Sequence, residues 1–494
     1  MAGHALFTGL RLPHRSGLRH VLSGCFLLAI WPWVGGCSGS HDEKSAPDRD
    51  PSVGRNVLIV TLDTTRADHL GAYGYPLDIT PEIDRLAERG VLFENAYAPM
   101  PQTLPSHTTL MTGLQPRQHG ALENTYTVDE SVDTMAEQLG REGYATAAFV
   151  SALALSKGAG IHQGFEIYDQ PRARFDIGLP APAEREASEM TDIALAWAET
   201  QPPEQPFFLW VHYFDPHADH VAPRRYLREM QPMLVRDQVI EPLVRNKKDV
   251  AVDRLTQYWR SYASEVRYMD DEIGRLLDGL SDLGLLDETV IVLAGDHGEG
   301  LYEHGNIGHG MNVWEELHRV PLILVDPDGK HAGTRIRGRV ELADVLPTVM
   351  SMSLGRPLEG VPGAAGLDLW SWVEKTRSLP QRPVFLERPH FSRERIADRN
   401  GEGSRIDYGE LVAVLMGDYK LVRWPDGRER LFDLSKDPDE SKDLVEEQPE
   451  MRARLAQLMD GWLAQHAVDL PGAEGELSDE RTQALKALGY LGDG

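Results

Sequence analysis

Residues 98–120 read APMPQTLPSHTTLMTGLQPRQHG. The spacing predicts a short helix over 105–112. Proline suits the first helical position, because its fixed φ matches the helix and its missing N–H would have no partner there. Gly113 supplies the left-handed conformation that ends such a helix. Thr103 then stands just upstream of the helix start, beside free backbone N–H groups and the positive end of the dipole. An anionic ester oxygen or a phosphate is stabilised at such a place. Alone, T-x-P-S reads as an N-cap threonine on an ordinary helix; the segments around it change that reading.

Residues 56–62, NVLIVTL, form a buried-type strand that ends in Asp63. Thr80-Pro81 opens a helix that Gly90 closes. Residues 133–140 read as another helix, followed by a strand over 145–150. Residues 206–214, PFFLWVHYF, make a strand that runs into Asp215-Pro216-His217. Over 255–280, Leu255, Tyr258, Tyr262, Val266, Met269, Ile273 and Leu277 fall at helical spacing, which marks a core stripe and not a cofactor box. Residues 289–293, TVIVL, lead into Ala294-Gly295-Asp296-His297-Gly298-Glu299. This alternation predicts an α/β domain with a largely parallel sheet. Three strands deliver acids or histidines just past their carboxyl ends, the edge where open α/β sheets bind ligands. Each such residue is by itself as readily a turn or cap; three of them beside a helix-terminal threonine form a constellation.

Metal chemistry accounts for that constellation. Asp63, Asp296 and His297 offer two hard oxygens and an imidazole, and Thr103 Oγ completes a four-ligand set. A divalent metal ion held there lowers the pKa of the hydroxyl and neutralises charge on the transferred group. One imidazole among carboxylates favours Zn or Mn, with Ca possible. His217 and His309 are candidates for acid, base or oxyanion roles, and each is also readable as a surface or capping histidine. A second metal using Asp215 and His309 stays open.

The chain has 494 residues, 41% of them hydrophobic, enough for a large core. Its net charge of −27, from 77 acidic against 50 basic residues, excludes free nucleic acid as a partner. Residues 1–37 read as a targeting segment: Arg11, Arg15 and Arg19 precede an apolar run over 21–34 that is short for a bilayer span. It ends in Val34-Gly35-Gly36-Cys37, which resembles the lipobox of bacterial lipoproteins; a plain secretory signal or a membrane anchor is the alternative. Acylation of Cys37 would tether the protein to a bacterial membrane, facing the periplasm or the cell surface. Residues 38–55 then serve as a polar tether. Cys25 and Cys37 are the two cysteines, so a chain cleaved before Cys37 and acylated there carries no disulfide and no spare thiol.

From about Asn56 onward the chain resembles the sulfatase family of the alkaline phosphatase superfamily. The family's nucleophile motif is Cys or Ser, any residue, Pro, Ser, Arg; here it reads Thr103-Leu104-Pro105-Ser106-His107, followed by Leu110-Met111-Thr112-Gly113, Pro116 and His119-Gly120. Asp296-His297-Gly298-Glu299 resembles the second metal motif, and Asp215-Pro216-His217 the strand-end histidine that contacts the substrate anion. His309-Gly310, Trp314-Glu315-Glu316, Arg319-Val320-Pro321-Leu322 and Leu431-Phe432-Asp433-Leu434 are similar to later landmarks. The resemblance implies an alkaline-phosphatase-like fold: a large mixed, mostly parallel sheet between helices, over 56–380. A smaller C-terminal α+β subdomain follows over 381–494, with strands at 410–416 and 419–424 and a helix at 450–466.

The departures from the family pattern bear on chemistry. Sulfatases convert the motif cysteine or serine to formylglycine, and Thr103 cannot undergo that conversion. Where the family has two adjacent aspartates, this chain has Asp63-Thr64. Where it has Gly-Lys-Trp-His, this chain has Phe149-Val150-Ser151-Ala152, without a cation. His107 stands in for the arginine. A threonine nucleophile lacks the second hydroxyl that expels sulfate, whereas a phosphothreonine can be resolved by water. The expected activity is therefore metal-dependent hydrolysis of a sulfate or phosphate ester, with the phosphoester favoured. The substrate is a small molecule, or a glycan or lipid ester, whose leaving group is shaped by loops such as 221–252. A head-group transferase of the same superfamily and a non-catalytic surface lipoprotein are the alternatives.

Overall fold

Strand β1 (Asn56–Leu62) is buried along its whole length. Successive side chains of a strand point to opposite faces, and here both faces are covered. Val57 and Ile59 join one core, while Leu58, Val60 and Leu62 join the other. The computed structural model describes residues 54–171, 185–218, 220–234, 252–356, 365–375, 378–388 and 409–468. The targeting segment, Cys37 and most of the tether lie outside these residues.

Eight further strands complete the main sheet: β2 (Val91–Tyr97), β3 (Ala145–Phe149), β4 (Ile167–Asp169), β5 (Phe207–Tyr213), β6 (Thr289–Gly295), β7 (Arg319–Val320), β8 (Leu322–Val325) and β9 (Thr334–Glu341). Their order is β9-β2-β8-β6-β1-β5-β3-β4, with β7 paired to β2. β8 runs antiparallel to β6 and β2, and β7 antiparallel to β2; the remaining pairings are parallel. The sheet is thus mixed and mostly parallel, as the pattern predicts. Its centre is β6-β1-β5, the three strands whose carboxyl ends carry the acids and histidines.

Helices cover both faces. α1 (Pro81–Arg89), α2 (Thr103–Thr112), α3 (Met135–Arg141), α4 (Ala187–Ala198), α5 (Arg224–Leu234), α6 (Val252–Asp282) and α7 (Val345–Leu354) follow in order. Side chains of α2, α3 and α7 pack into one core, those of α1, α4, α5 and α6 into the other. The stripe of α6 is buried at Leu255, Tyr262, Val266, Met269, Ile273 and Leu277, with Tyr258 packed beside it.

Two expectations need correction. α2 begins at Thr103 and not at Pro105, so the threonine is the first helical residue and Gln102 precedes the helix. None of the first four N–H groups of a helix has an internal partner, so proline is tolerated at its third position as well as its first. Gly113 ends α2 in the left-handed conformation, φ 68°. The segment over 221–252, read as a loop, contains α5: Tyr226 and Met230, four residues apart, are both buried. No helix among the described residues is long and apolar enough to cross a membrane.

The C-terminal part is a four-stranded antiparallel sheet of β10 (Val384–Glu387), β11 (Val412–Met416), β12 (Tyr419–Arg423) and β13 (Glu429–Asp433), with α8 (Pro449–Gln465) against it. Val412, Val414 and Leu421 face Leu455, Met459 and Trp462 of α8, whereas Ala413 and Leu415 face Trp314 and Tyr97. Lys420 is wholly enclosed, 3.1 Å from Glu315 and 2.8 Å from Glu440.

Candidate active site

Register brings the functional residues together. Leu62 of β1 pairs with Tyr213 of β5 on one side and Gly295 of β6 on the other. The chain continues in step: Asp63 N donates to Tyr213 O at 2.9 Å, and Asp296 N donates to Leu62 O at 3.2 Å. Asp63, Asp296 and His297 therefore meet just past the carboxyl edge, each 0% exposed.

His297 Nε2 lies 3.7 Å from Asp63 Oδ1 and 3.5 Å from Asp296 Oδ2. Its Nδ1–H donates to Gly298 O at 3.0 Å, which leaves the lone pair on Nε2. Asp296 Oδ1 accepts from Thr64 N at 3.1 Å and His297 N at 2.6 Å. The opposite atoms are unmatched: both oxygens of Asp63, Asp296 Oδ2, His297 Nε2 and Thr103 Oγ1 are buried without a hydrogen-bond partner. Buried polar atoms are nearly always paired, so the four orphans of Asp63, Asp296 and His297, with Thr103 Oγ1 a fifth at the head of α2, call for a ligand. Burial raises both carboxyls above the usual carboxylate range, Asp296 further because Asp63 stands beside it, and it lowers the His297 imidazole. The donor atoms of Asp63, Asp296 and His297 all lie within 4.8 Å of one another. Two carboxylates and a deprotonated imidazole nitrogen fit a divalent cation in both charge and donor type.

Thr103 joins the cluster through α2. Asn124 Oδ1 accepts from Leu104 N at 2.8 Å and holds the helix start. His107, one turn on, donates from Nδ1 to Thr103 O at 2.8 Å and lies 3.6 Å from Asp296 Oδ2. Its Nε2 is 3.0 Å from Thr61 Oγ1, which itself accepts from Trp210 Nε1 at 2.9 Å. Trp210 can only donate, so the Thr61 hydrogen goes to Nε2. Both His107 nitrogens are thus occupied and none is left for substrate. Burial pushes His107 down to about 3, so the ring is neutral where the family has an arginine.

His217 and His309 stand together beside the cluster. Their ring centroids are 5.0 Å apart, and His309 is 4.6 Å from His297. Phe214 stacks on His217 at 4.3 Å, and His217 Nδ1 donates to Ala218 O at 2.5 Å, leaving Nε2 unpartnered. Burial lowers His217 to about 4. His309 Nδ1 donates to Glu299 Oε2 at 3.1 Å. Asp215, considered for a second metal, turns elsewhere: its Oδ2 accepts from Ala187 N at 3.0 Å, at the start of α4. The Asp215 carboxylate thus serves the helix terminus and not a metal pair with His309.

Reasoning from sequence overlooked His212, Ser151, Thr61, Asn124 and Tyr262. His212 left a signal: it is a histidine inside the apolar run FFLWVHY, and its position pairs with Thr61. Tyr262, read as core, also carries a polar task, donating to Thr64 O at 2.9 Å and accepting from Arg66 N at 3.1 Å.

Comparison with known proteins agrees with this geometry. The sulfatase family profile matches residues 55–355. The chain is 26% identical over 456 residues to a choline-sulfatase of Rhizobium meliloti, covering 79% of this chain and 82% of that one. It is 25% identical over 483 residues to the multifunctional alkaline phosphatase superfamily protein PehA of Trinickia caryophylli, covering 79% and 91%. Among solved structures, the phosphonate monoester hydrolase of Agrobacterium radiobacter superposes with a TM-score of 0.69 at 23% identity, covering 83% of this chain and 96% of that one. An enzyme in complex with D-glucosamine-2-N,6-O-disulfate gives a TM-score of 0.69 at 20% identity, covering 86% and 100%.

Proposed function

Since this chain belongs to the sulfatase family, whose members are metal-dependent ester hydrolases, we propose that it cleaves phosphate or phosphonate esters, in preference to sulfates, through Thr103 as nucleophile. The observation that carries this reading is the Thr103 hydroxyl at the head of α2, buried and unpartnered, together with the unpartnered Asp63 carboxylate, Asp296 Oδ2 and His297 Nε2. Asp63, Asp296, His297 and Thr103 would hold the divalent ion. When bound, it supplies Lewis-acid stabilisation of the alkoxide and of the transferred group.

The chain's own residues do the rest. Thr103 Oγ gives up its hydroxyl proton to solvent and attacks phosphorus, the Oγ–P bond forms, and the bond to the leaving oxygen breaks. His309, held by Glu299, delivers a proton to that oxygen, so the alcohol departs neutral. Water then attacks phosphorus, His217 Nε2 takes its proton and passes it to Thr103 Oγ as the Oγ–P bond breaks and phosphate leaves, and His309 takes a proton back from solvent. Threonine has no geminal hydroxyl to expel sulfate, which is why this route favours phosphorus over sulfur. His107 is a positioning residue in this scheme, not a contact to substrate.

The test is turnover of 4-nitrophenyl phosphate, bis(4-nitrophenyl) phosphate, 4-nitrophenyl phenylphosphonate and 4-nitrophenyl sulfate by protein made without a formylglycine-generating enzyme. Turnover of a phosphorus ester that vanishes in Thr103→Ala supports the reading; brisk sulfate hydrolysis with no phosphorus ester cleaved overturns it. For the N-terminus, acylation at Cys37 and attachment to the bacterial cell envelope are part of the same proposal, supported by the arginine-flanked apolar run that ends at Gly36-Cys37.

A further inference from the structure

His212 lies in β5 opposite Thr61, wholly enclosed, and has no part in the scheme above. Its Nδ1 is 2.8 Å from Ser151 Oγ, and the same hydroxyl is 2.6 Å from the His212 carbonyl. A carbonyl only accepts, so the Ser151 hydrogen goes to it and Nδ1–H donates to Oγ. The Ser151 N–H also points at Nδ1, from 3.4 Å, which taken alone would ask for a lone pair there; the hydroxyl at 2.8 Å is much the closer contact and sets the tautomer. This tautomer leaves the lone pair on Nε2. That atom faces Asp63 Oδ2 at 3.4 Å, and neither has a hydrogen-bond partner. Two buried lone-pair atoms turned toward each other repel unless a proton or a metal cation lies between them.

Asp296 Oδ2 is a third unpartnered donor in the same place, since donor atoms of His107, His212 and Asp296 lie within 4.8 Å of one another. His107 drops out of that group because both of its nitrogens are taken. The two remaining imidazoles approach Asp63 from different oxygens: His297 at Oδ1, 3.7 Å away, and His212 at Oδ2, 3.4 Å away. A carboxylate flanked in this way is placed to bridge two ions. We propose that the site holds a second divalent cation, bound by His212 Nε2 with the carboxylates of Asp63 and Asp296, across Asp63 from the ion at His297; this inference rests on the metal-dependent reading above.

Charge balance gives the second ion a task. The two carboxylates cancel one divalent ion and leave no positive surplus for an anionic ester. Among the described residues, Arg66 near the cluster is engaged by Asp68 and Glu303, and His107 stands neutral where an arginine would sit. A second cation provides the positive charge that these side chains do not.

The test uses the full-length chain loaded with Mn²⁺ or Zn²⁺ and passed through a desalting column, with metal measured by elemental analysis. Wild type should carry about two ions per chain, His212→Ala about one, His297→Ala about one, and Asp296→Ala fewer than one. Electron paramagnetic resonance of the Mn²⁺ form should show a spin-coupled pair in wild type, a readout that needs no variant to fold. A single uncoupled ion that depends on Asp296 and His297 but not on His212 overturns the second site and leaves the proposed function standing. A single ion lost in both His212→Ala and His297→Ala makes His212 a ligand of the first ion and also overturns it. A wild-type chain that binds neither metal removes the metal-dependent reading itself.

Discussion

The His107 imidazole donates to the Thr103 carbonyl across one turn of α2, at 2.8 Å, while its far nitrogen meets Thr61 on β1 at 3.0 Å. One ring thus bolts the nucleophile's helix to the central strand. His107→Ala leaves a cavity and takes away the acceptor of the Thr61 hydroxyl hydrogen, so we expect about 2–4 kcal/mol loss of folding stability. Urea denaturation checks it; a loss below about 0.5 kcal/mol would mean the ring is not structural.

Thr103→Ala should lower kcat by about a thousandfold or more, because Ser106, the other hydroxyl in the first turn of α2, is engaged by the Met100 carbonyl at 2.6 Å. Thr103→Ser keeps the oxygen and should retain part of the rate. Rapid-quench trapping of a phosphorylated wild-type enzyme, absent in Thr103→Ala, is the direct measurement.

Removal of divalent metal with a chelator should abolish turnover and lower the melting temperature, since Asp63 and Asp296 are then left as buried, uncompensated carboxyls. Re-addition of Zn²⁺ or Mn²⁺ should restore both. Activity that survives exhaustive chelation, with metal content verified as nil, contradicts the assignment.

Asp270 gives a pH dependence of known sign. It accepts from Ile83 N at 2.8 Å and Glu82 N at 3.1 Å at the start of α1, yet burial pushes it up to about 8. The folded state therefore keeps this proton while the unfolded state releases it near pH 4. Its effect is to lower stability as pH rises from about 4 to about 8, by at most about 1.4 kcal/mol per pH unit. In Asp270→Asn that slope should flatten, which urea titrations at several pH values can measure.

Cys37→Ala should abolish incorporation of labelled palmitate and release the protein from the membrane fraction. Membrane attachment that persists in the variant with the leader still present would speak for an ordinary membrane anchor.

Much of the fold is legible in the sequence because a strand buried on both faces cannot avoid an apolar run. NVLIVTL, PFFLWVHYF and TVIVL announce β1, β5 and β6 in that way, and their ends locate Asp63, His217, Asp296 and His297. β10 and β13 are not legible there, because at four and five residues their apolar runs are too short to be told from other segments. The start of α2 was misplaced by two residues, since proline is permitted anywhere in the first turn. The role of His107 was out of reach for a different reason. Its ring is defined by Thr61 and Trp210, residues 46 and 103 positions away, and no local pattern encodes such a meeting.

The enclosed ammonium of Lys420 has a consequence for how the chain can be divided. Its two carboxylate partners come from opposite directions, Glu440 from beyond β13 and Glu315 from the segment that descends from His309. Glu315 also accepts from Tyr97 at the end of β2, so one side chain ties together the last strand before the nucleophile, the approach to His309 and the C-terminal sheet. A protein cut near residue 381 would strand Glu315 without its counter-charge and Lys420 without half of its own. The C-terminal sheet is therefore no appendage to be trimmed for expression: separate production of the two pieces should yield insoluble halves, and the intact chain should melt in one step.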